Sequence, residues 1–187
     1  NIGYGEPNNG PRHDFVSVFL GKGDGTFETR IDTATGSYSN WLGSGDFNGD
    51  GRVDFVTPNY CGESITILLG RGDGTFNRQD QSNAGGTTSP AFVITGDVNG
   101  DGIDDIIVGA SGASGANGST GVTFVVFGAE DWSSQSLDLS ALNGSNGFQI
   151  NGIDEWDRSG RSASSAGDVN GDGWSDLIIS AHFQVVG

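Results

Sequence analysis

Three stretches of this chain superimpose residue for residue without a gap: Gly45-Asp46-Phe47-Asn48-Gly49-Asp50-Gly51-Arg52-Val53-Asp54, Gly96-Asp97-Val98-Asn99-Gly100-Asp101-Gly102-Ile103-Asp104-Asp105 and Gly167-Asp168-Val169-Asn170-Gly171-Asp172-Gly173-Trp174-Ser175-Asp176. They start 51 and then 71 residues apart. A second repeat alternates with them: Leu20-Gly21-Lys22-Gly23-Asp24-Gly25-Thr26-Phe27 recurs as Leu69-Gly70-Arg71-Gly72-Asp73-Gly74-Thr75-Phe76. One supersecondary unit repeated every 40–50 residues or slightly more points to stacked units that share a core, as in propellers and solenoids.

The flanks of both repeats favour strands. Phe55-Val56-Thr57, Ile106-Ile107-Val108 and Leu177-Ile178-Ile179 follow the acidic stretches. Val16–Leu20 and Ile65–Leu69 precede the glycine-rich turns. These are short β-branched and aromatic runs bounded by glycine, and each Asp-Gly pair suits a hairpin turn. The unit therefore reads strand, acidic loop, strand, glycine-rich link, strand, hairpin, strand, which is the make-up of a four-stranded propeller blade. A further strand is expected at Thr123–Phe127, followed by a longer excursion from Ala129 to Asp157 that holds Leu137, Leu139, Leu142, Phe148 and Ile150. Little or no helix is expected.

The acidic loop has the pattern Asp-x-Asn-x-Asp-Gly-x-x-Asp. Positions 1, 3, 5 and 9 offer side-chain oxygens and position 7 a backbone carbonyl. Such an all-oxygen set suits Ca²⁺, with Mg²⁺ second because it prefers tighter octahedral geometry. Soft metals find none of their preferred ligands. The EF-hand loop begins in the same way but needs a bidentate Glu at position 12 and flanking helices. Position 12 here is Thr57, Val108 or Ile179, each inside a strand run. A metal-free polar turn is the plain alternative, but three Asp within nine residues repel one another when no cation is bound. Three Ca²⁺ ions would offset six of the net charge of -16.

That acidic balance, 24 Asp and Glu against 8 Lys and Arg, argues against nucleic acid as a partner. A single cysteine, Cys61, excludes an intrachain disulfide. No apolar run approaches the ~18 residues that cross a membrane as a helix, and no signal peptide is visible at Asn1.

The stretches Ser162–Ala181 and Gly96–Ala110 resemble the FG-GAP repeat of integrin α-subunit propellers, and the units with Leu-Gly-x-Gly-Asp-Gly-Thr-Phe resemble the related VCBS repeat of large bacterial secreted or surface proteins. The resemblance implies an all-β chain of about three blade-equivalents. Residues 1–35 would hold the last strands of one blade, 36–85 and 86–158 one blade each, and 159–187 the first strands of another. It implies three Ca²⁺ sites with Asp46, Asn48, Asp50, Arg52 and Asp54, then Asp97, Asn99, Asp101, Ile103 and Asp105, then Asp168, Asn170, Asp172, Trp174 and Asp176; Arg52, Ile103 and Trp174 would lend carbonyls. It departs from the family at Ser159-Gly160, Gly109-Ala110-Ser111 and Ser180-Ala181-His182, which bears on packing more than on the metal.

Family propellers close with about six or seven blades, so this chain is expected to be either a stretch of a longer protein or one of several copies that close a ring together. The function expected is a non-catalytic, calcium-binding module, secreted or on the cell surface and of bacterial type, for adhesion or protein interaction. Alternatives are a lectin, with Trp41, Trp132 and Trp156 as sugar platforms, and a non-catalytic arm of a polysaccharide-degrading enzyme. Arg71-Gly72-Asp73 spells an integrin-binding tripeptide, but Lys22-Gly23-Asp24 fills the same slot, so a hairpin turn is expected there. His13, His182, the acids Asp154, Glu155 and Asp157, and the sequons at Asn117 and Asn143 complete no recognisable constellation.

Overall fold

The computed structural model describes residues 14–81, 89–113, 119–132, 138–154 and 156–181. Twelve strands occur among them: β1 (Phe15–Val18), β2 (Ile31–Ala34), β3 (Gly43–Gly45), β4 (Asp54–Asn59), β5 (Ser64–Gly70), β6 (Phe76–Gln81), β7 (Phe92–Gly96), β8 (Asp105–Ala110), β9 (Val122–Val126), β10 (Gly147–Asn151), β11 (Ala163–Gly167) and β12 (Asp176–Ile179). The described helical structure is one 3-10 turn, Leu139–Ala141, capped by Asp138.

The strands form two complete antiparallel sheets, β3-β4-β5-β6 and β7-β8-β9-β10, flanked by the two-stranded sheets β1-β2 and β11-β12. Neighbours in sequence are neighbours in space throughout, as short hairpin connections require. The result is an open arc of β-propeller blades: two whole blades between two half-blades. The repeats place β1 and β2 as the third and fourth strands of their blade, and β11 and β12 as the first and second of theirs.

Burial follows from sheet stacking. The middle strands β8 and β9 are buried at every position, because both faces of a blade pack against neighbours. This is why they read as continuous apolar runs instead of alternating ones. Phe47, Val56, Ile65, Ile67, Val93, Ile106, Val108, Phe124 and Val126 form one continuous core across the two blades.

Three sequence expectations change. β1 stops at Val18, short of Leu20; β5 is held on both edges by β4 and β6, whereas β1 has only β2 beside it among the described residues. The Ala129–Asp157 excursion contains the fourth strand, β10, and folds Trp132 and Leu139 into the core. Trp132 is 2% exposed and its indole N–H donates to the Phe47 carbonyl at 2.8 Å, so it is a core residue and not a sugar platform. His13, His182, Glu155, Leu137 and Asn117 lie outside the described residues.

Candidate metal centre

Each acidic loop is the first hairpin of its blade, joining β3 to β4, β7 to β8 and β11 to β12. The three share one internal geometry. The amide of position 5 is held by the side-chain oxygens of positions 1 and 3: Asp50 N donates to Asp46 Oδ1 and Asn48 Oδ1, both at 3.1 Å. Asp101 N does the same with Asp97 and Asn99 at 3.2 and 2.9 Å, and Asp172 N with Asp168 and Asn170 at 3.0 and 2.9 Å. The Asn amide at position 3 donates to Oδ2 at position 5, at 2.9–3.1 Å. Glycines at positions 4 and 6 adopt positive φ, 69° and 79° in the first loop, a region that side chains with a β-carbon seldom enter. The curl thus draws the oxygens of positions 1, 3 and 5 around a single turn.

The ninth residue does something different. Asp54 Oδ2 accepts from Phe47 N at 2.9 Å, while Oδ1 accepts from Gly70 N, at the end of β5, at 2.7 Å. Asp105 repeats this with Val98 N at 2.8 Å and Gly128 N, just beyond β9, at 2.9 Å. Both carboxylates are 0% exposed. Asp176 makes the first bond, from Val169 N at 2.7 Å, but among the described residues it has no third strand beside it to make the second.

Electrostatics divide the same way. Burial pushes the Asp54 carboxyl above the usual aspartate range against the bonds from Gly70 and Phe47, and the charges of Asp50 and Asp46 push it further up. Asp105 is raised by burial too, with the Asp101 charge adding to it. Asp168, fully exposed, is held below that range, first by the Gly173 amide. In the first loop the Arg52 guanidinium reaches Asp50 Oδ2 at 3.2 Å and supplies a local counter-charge.

Among the described residues no three His, Cys, Asp or Glu side chains gather tightly enough to hold an ion by themselves. The donors each turn draws together are the carboxylates of positions 1 and 5 and the Asn carbonyl of position 3; the position-9 carboxylate accepts from backbone amides and is buried in the first two loops, half-buried in the third. All the donors are oxygens, which is the chemistry of a hard divalent cation. The net negative charge at each turn fits such a cation as well.

The loops also touch one another. A β-carbon placed on Gly100 would lie 2.5 Å from the Trp174 ring, and one on Gly49 3.4 Å from the Ile103 side chain. Position 7 of the second and third loops therefore packs on position 4 of the loop before it. Asp104 adds a clasp between blades: its Oδ2 accepts from Asp46 N at 2.9 Å and its own N–H donates to the Asp46 carbonyl at 3.0 Å. Sequence reasoning missed Asp104, since position 8 is Val53, Asp104 or Ser175 and nothing in the repeat marks it. It also missed Gly70 and Gly128, whose signal was present: a glycine closes the third strand of the blade at both places, and Gly21 holds the same slot.

Residues 5–57 and 46–108 match the FG-GAP-like repeat, and residues 159–186 match the FG-GAP repeat. The chain belongs to the FG-GAP repeat family. It is similar to integrin alpha pat-2 of Caenorhabditis elegans and of Caenorhabditis briggsae, 30% identical to each in an alignment 148 residues long that covers 75% of this chain. The chain spans 12% of the length of those relatives. The first matched span ends in β4, just past the first acidic loop, and the second runs from that loop into β8, just past the second. No described helix is long and apolar enough to cross a membrane, which leaves strand-built membrane structures unaddressed.

Proposed function

We propose that this chain is a calcium-stabilised, non-catalytic adhesion or protein-interaction module that works outside the cell. The observation that carries the reading is a division of labour between the two ends of the blades. One end holds the acidic loops and the glycine-rich hairpins, where positive φ angles fall on glycine. At the other end lie the links between second and third strands and between successive blades.

Among the described residues, all five non-glycine residues at positive φ sit in those links: Tyr38, Glu63, Ser89, Trp156 and Arg158. Backbone held in this region by non-glycine residues is strained, and such strain collects at binding surfaces. The same end exposes Tyr38, Trp41, Tyr60, Ile153 and Trp156, with Ile153 90% exposed. Exposed aromatic residues in loops on a rigid scaffold are the usual material of protein contacts. Calcium at the opposite end would hold that scaffold, through Asp46, Asn48, Asp50 and Asp54 and their counterparts in the other two loops. An integrin α relative gives the adhesion reading its context.

Surfaces coated with the chain in Ca²⁺ are expected to retain cells or matrix proteins. Trp156→Ala and Tyr60→Ala should reduce retention with the melting temperature unchanged. Equal retention by both variants would defeat the reading. The lectin alternative now rests on Trp41 and Trp156, and a glycan array separates it: selective sugar binding that Trp156→Ala abolishes would replace a protein partner with a glycan. Calorimetry of chelator-stripped protein tests the metal, and no heat with Ca²⁺ would remove calcium from the proposal.

A further inference from the structure

The first acidic loop is held from the next blade as well as from its own. Its leading residue, Asp46, has both backbone groups bonded to one residue of that blade. The Asp46 N–H donates to Asp104 Oδ2 at 2.9 Å, and the Asp46 carbonyl accepts from the Asp104 N–H at 3.0 Å. The carbonyl of the following residue, Phe47, accepts from Ala129 N at 3.0 Å and Trp132 Nε1 at 2.8 Å, both in the stretch after β9. The same two parts of the second blade serve the second loop. Asp104 precedes Asp105, the ninth residue of that loop, and Gly128 N, beside Ala129, donates to Asp105 Oδ1 at 2.9 Å. Gly45 makes room for the clasp: a β-carbon there would lie 2.7 Å from Asp104 Oδ2.

The second and third loops are joined without it. Position 8 of the third loop is Ser175, which is exposed, and a β-carbon on Gly96, the counterpart of Gly45, would meet nothing within 4 Å. The position-7 contact is kept in both pairs, with Ile103 on Gly49 and Trp174 on Gly100. The clasp therefore belongs to one pair of loops. It falls on the residue whose carboxylate receives the Asp50 and Gly51 amides and heads the donors of the first turn. A residue pinned at both its N–H and its carbonyl has less freedom left to lose when its side chain takes a ligand. Groups that orient metal ligands without touching the ion commonly change its affinity by about ten- to a hundredfold.

We propose that Asp104, part of the second loop by sequence, is a positioning residue for the cation site of the first, and that the two loops bind their cations cooperatively through it. The inference rests on the calcium reading above. Asp104 acts through the Asp46 backbone, holding Asp46 where its carboxylate and the Asn48 carbonyl meet at the Asp50 amide. A cation in the second loop fixes Ile103 to Asp105, and with them the clasp on Asp46. By reciprocity, a cation in the first loop favours the ordered second loop by the same factor. Charge alone predicts the opposite, since two bound cations repel each other. Positive cooperativity confined to the first pair of loops is thus the mark of the clasp.

Each loop carries its own reporter, because the amides of Gly51, Gly102 and Gly173 donate to the first aspartate of their own turns at 2.8, 3.0 and 2.8 Å. In isotope-labelled, chelator-stripped protein titrated with Ca²⁺, the NMR signals of these amides give a midpoint for each loop. Asp104→Ala is expected to raise the Gly51 midpoint about tenfold and to leave the Gly173 midpoint unchanged. Asp104→Asn, which keeps the accepting oxygen without the charge, should stay near the parent. Asp101→Ala, which disables the second loop, should raise the Gly51 midpoint too, and the Gly173 midpoint less. With chelator present, hydrogen exchange at the Asp46 amide should quicken about tenfold in Asp104→Ala, the worth of one such bond, and not in Asp104→Asn. A Gly51 midpoint unmoved by Asp104→Ala or by Asp101→Ala, Asp104→Asn as weak as Asp104→Ala, or an equal shift of all the midpoints would each overturn the proposal and leave calcium binding in place. Signals that do not move with Ca²⁺ in the parent would overturn the calcium reading and the proposal together.

Discussion

The first two acidic loops and the third are the same ten-residue pattern in different surroundings. Inside the turn they agree to within a few tenths of an ångström in their hydrogen bonds, because that geometry comes from local side-chain oxygens and two glycines. Beneath the turn they part company. Asp54 and Asp105 are sealed between strands two and three with both oxygens on backbone amides, whereas Asp176 is only half-buried with one such bond. The second position shows the same contrast. Phe47 is wholly buried because the next blade lies over it, and its carbonyl takes bonds from Ala129 N and Trp132 Nε1, whereas Val169 is exposed. A loop motif of this kind shapes its own turn, but the blade around it decides what the ninth aspartate does.

The sharpest way to break this comparison is at the crowded glycine. Gly70→Ala drives a β-carbon into the Val53 carbonyl and should cost about 3 kcal/mol or more of unfolding free energy in urea titrations. Gly21→Ala, at the same repeat position with open space around it, should leave the unfolding free energy unchanged. Equal losses would mean that the glycines serve only their turns.

Calcium comes next. A single site at a free concentration about a hundred times its Kd adds about 2.7 kcal/mol to stability, so chelation should lower the melting temperature. Asp101→Ala should remove part of that calcium dependence, and Asp138→Ala, outside any loop, none of it. A melting temperature indifferent to chelator would separate the loops from metal altogether.

With chelator present, the amide bonds can be weighed on their own. Asp54→Ala strands the buried amides of Phe47 and Gly70 and should cost about 2 kcal/mol. Asp176→Ala loses one more exposed bond and should cost less than about 1 kcal/mol. Similar values would erase the distinction drawn between the loops. Trp132→Phe keeps the ring and deletes the bond to Phe47, for a loss of about 1 kcal/mol by the same measurement.

The smallest effect is expected at the hairpins. The Thr75 hydroxyl and amide hold the Asp73 carboxyl below the usual aspartate range. A carboxyl with a lowered folded-state pKa stabilises the fold above the usual range and loses that contribution as pH falls through the lowered value. Asp73→Asn should slightly flatten the acid limb of the stability–pH profile, and an unchanged limb would show the contacts to be idle. These same bonds, with Gly72 and Gly74 at φ of 81° and 87°, show Arg71-Gly72-Asp73 built as a hairpin turn.

The sequence by itself determined the order of elements, the all-β blade and the shape of each acidic turn. All three are local: strand runs, Asp-Gly turns and glycines at fixed offsets encode them within some ten residues. Only the tertiary structure decided which residues the repeats share out between blades. Asp104 clasping Asp46, Trp132 crossing from a long excursion to Phe47, and the burial of Asp54 and Asp105 all join residues far apart in the chain, at positions the repeat pattern leaves free to vary or treats as identical. A gapless repeat specifies what each copy makes alone, and burial depends on what lies beside it, which differs for the whole blades and the half-blades.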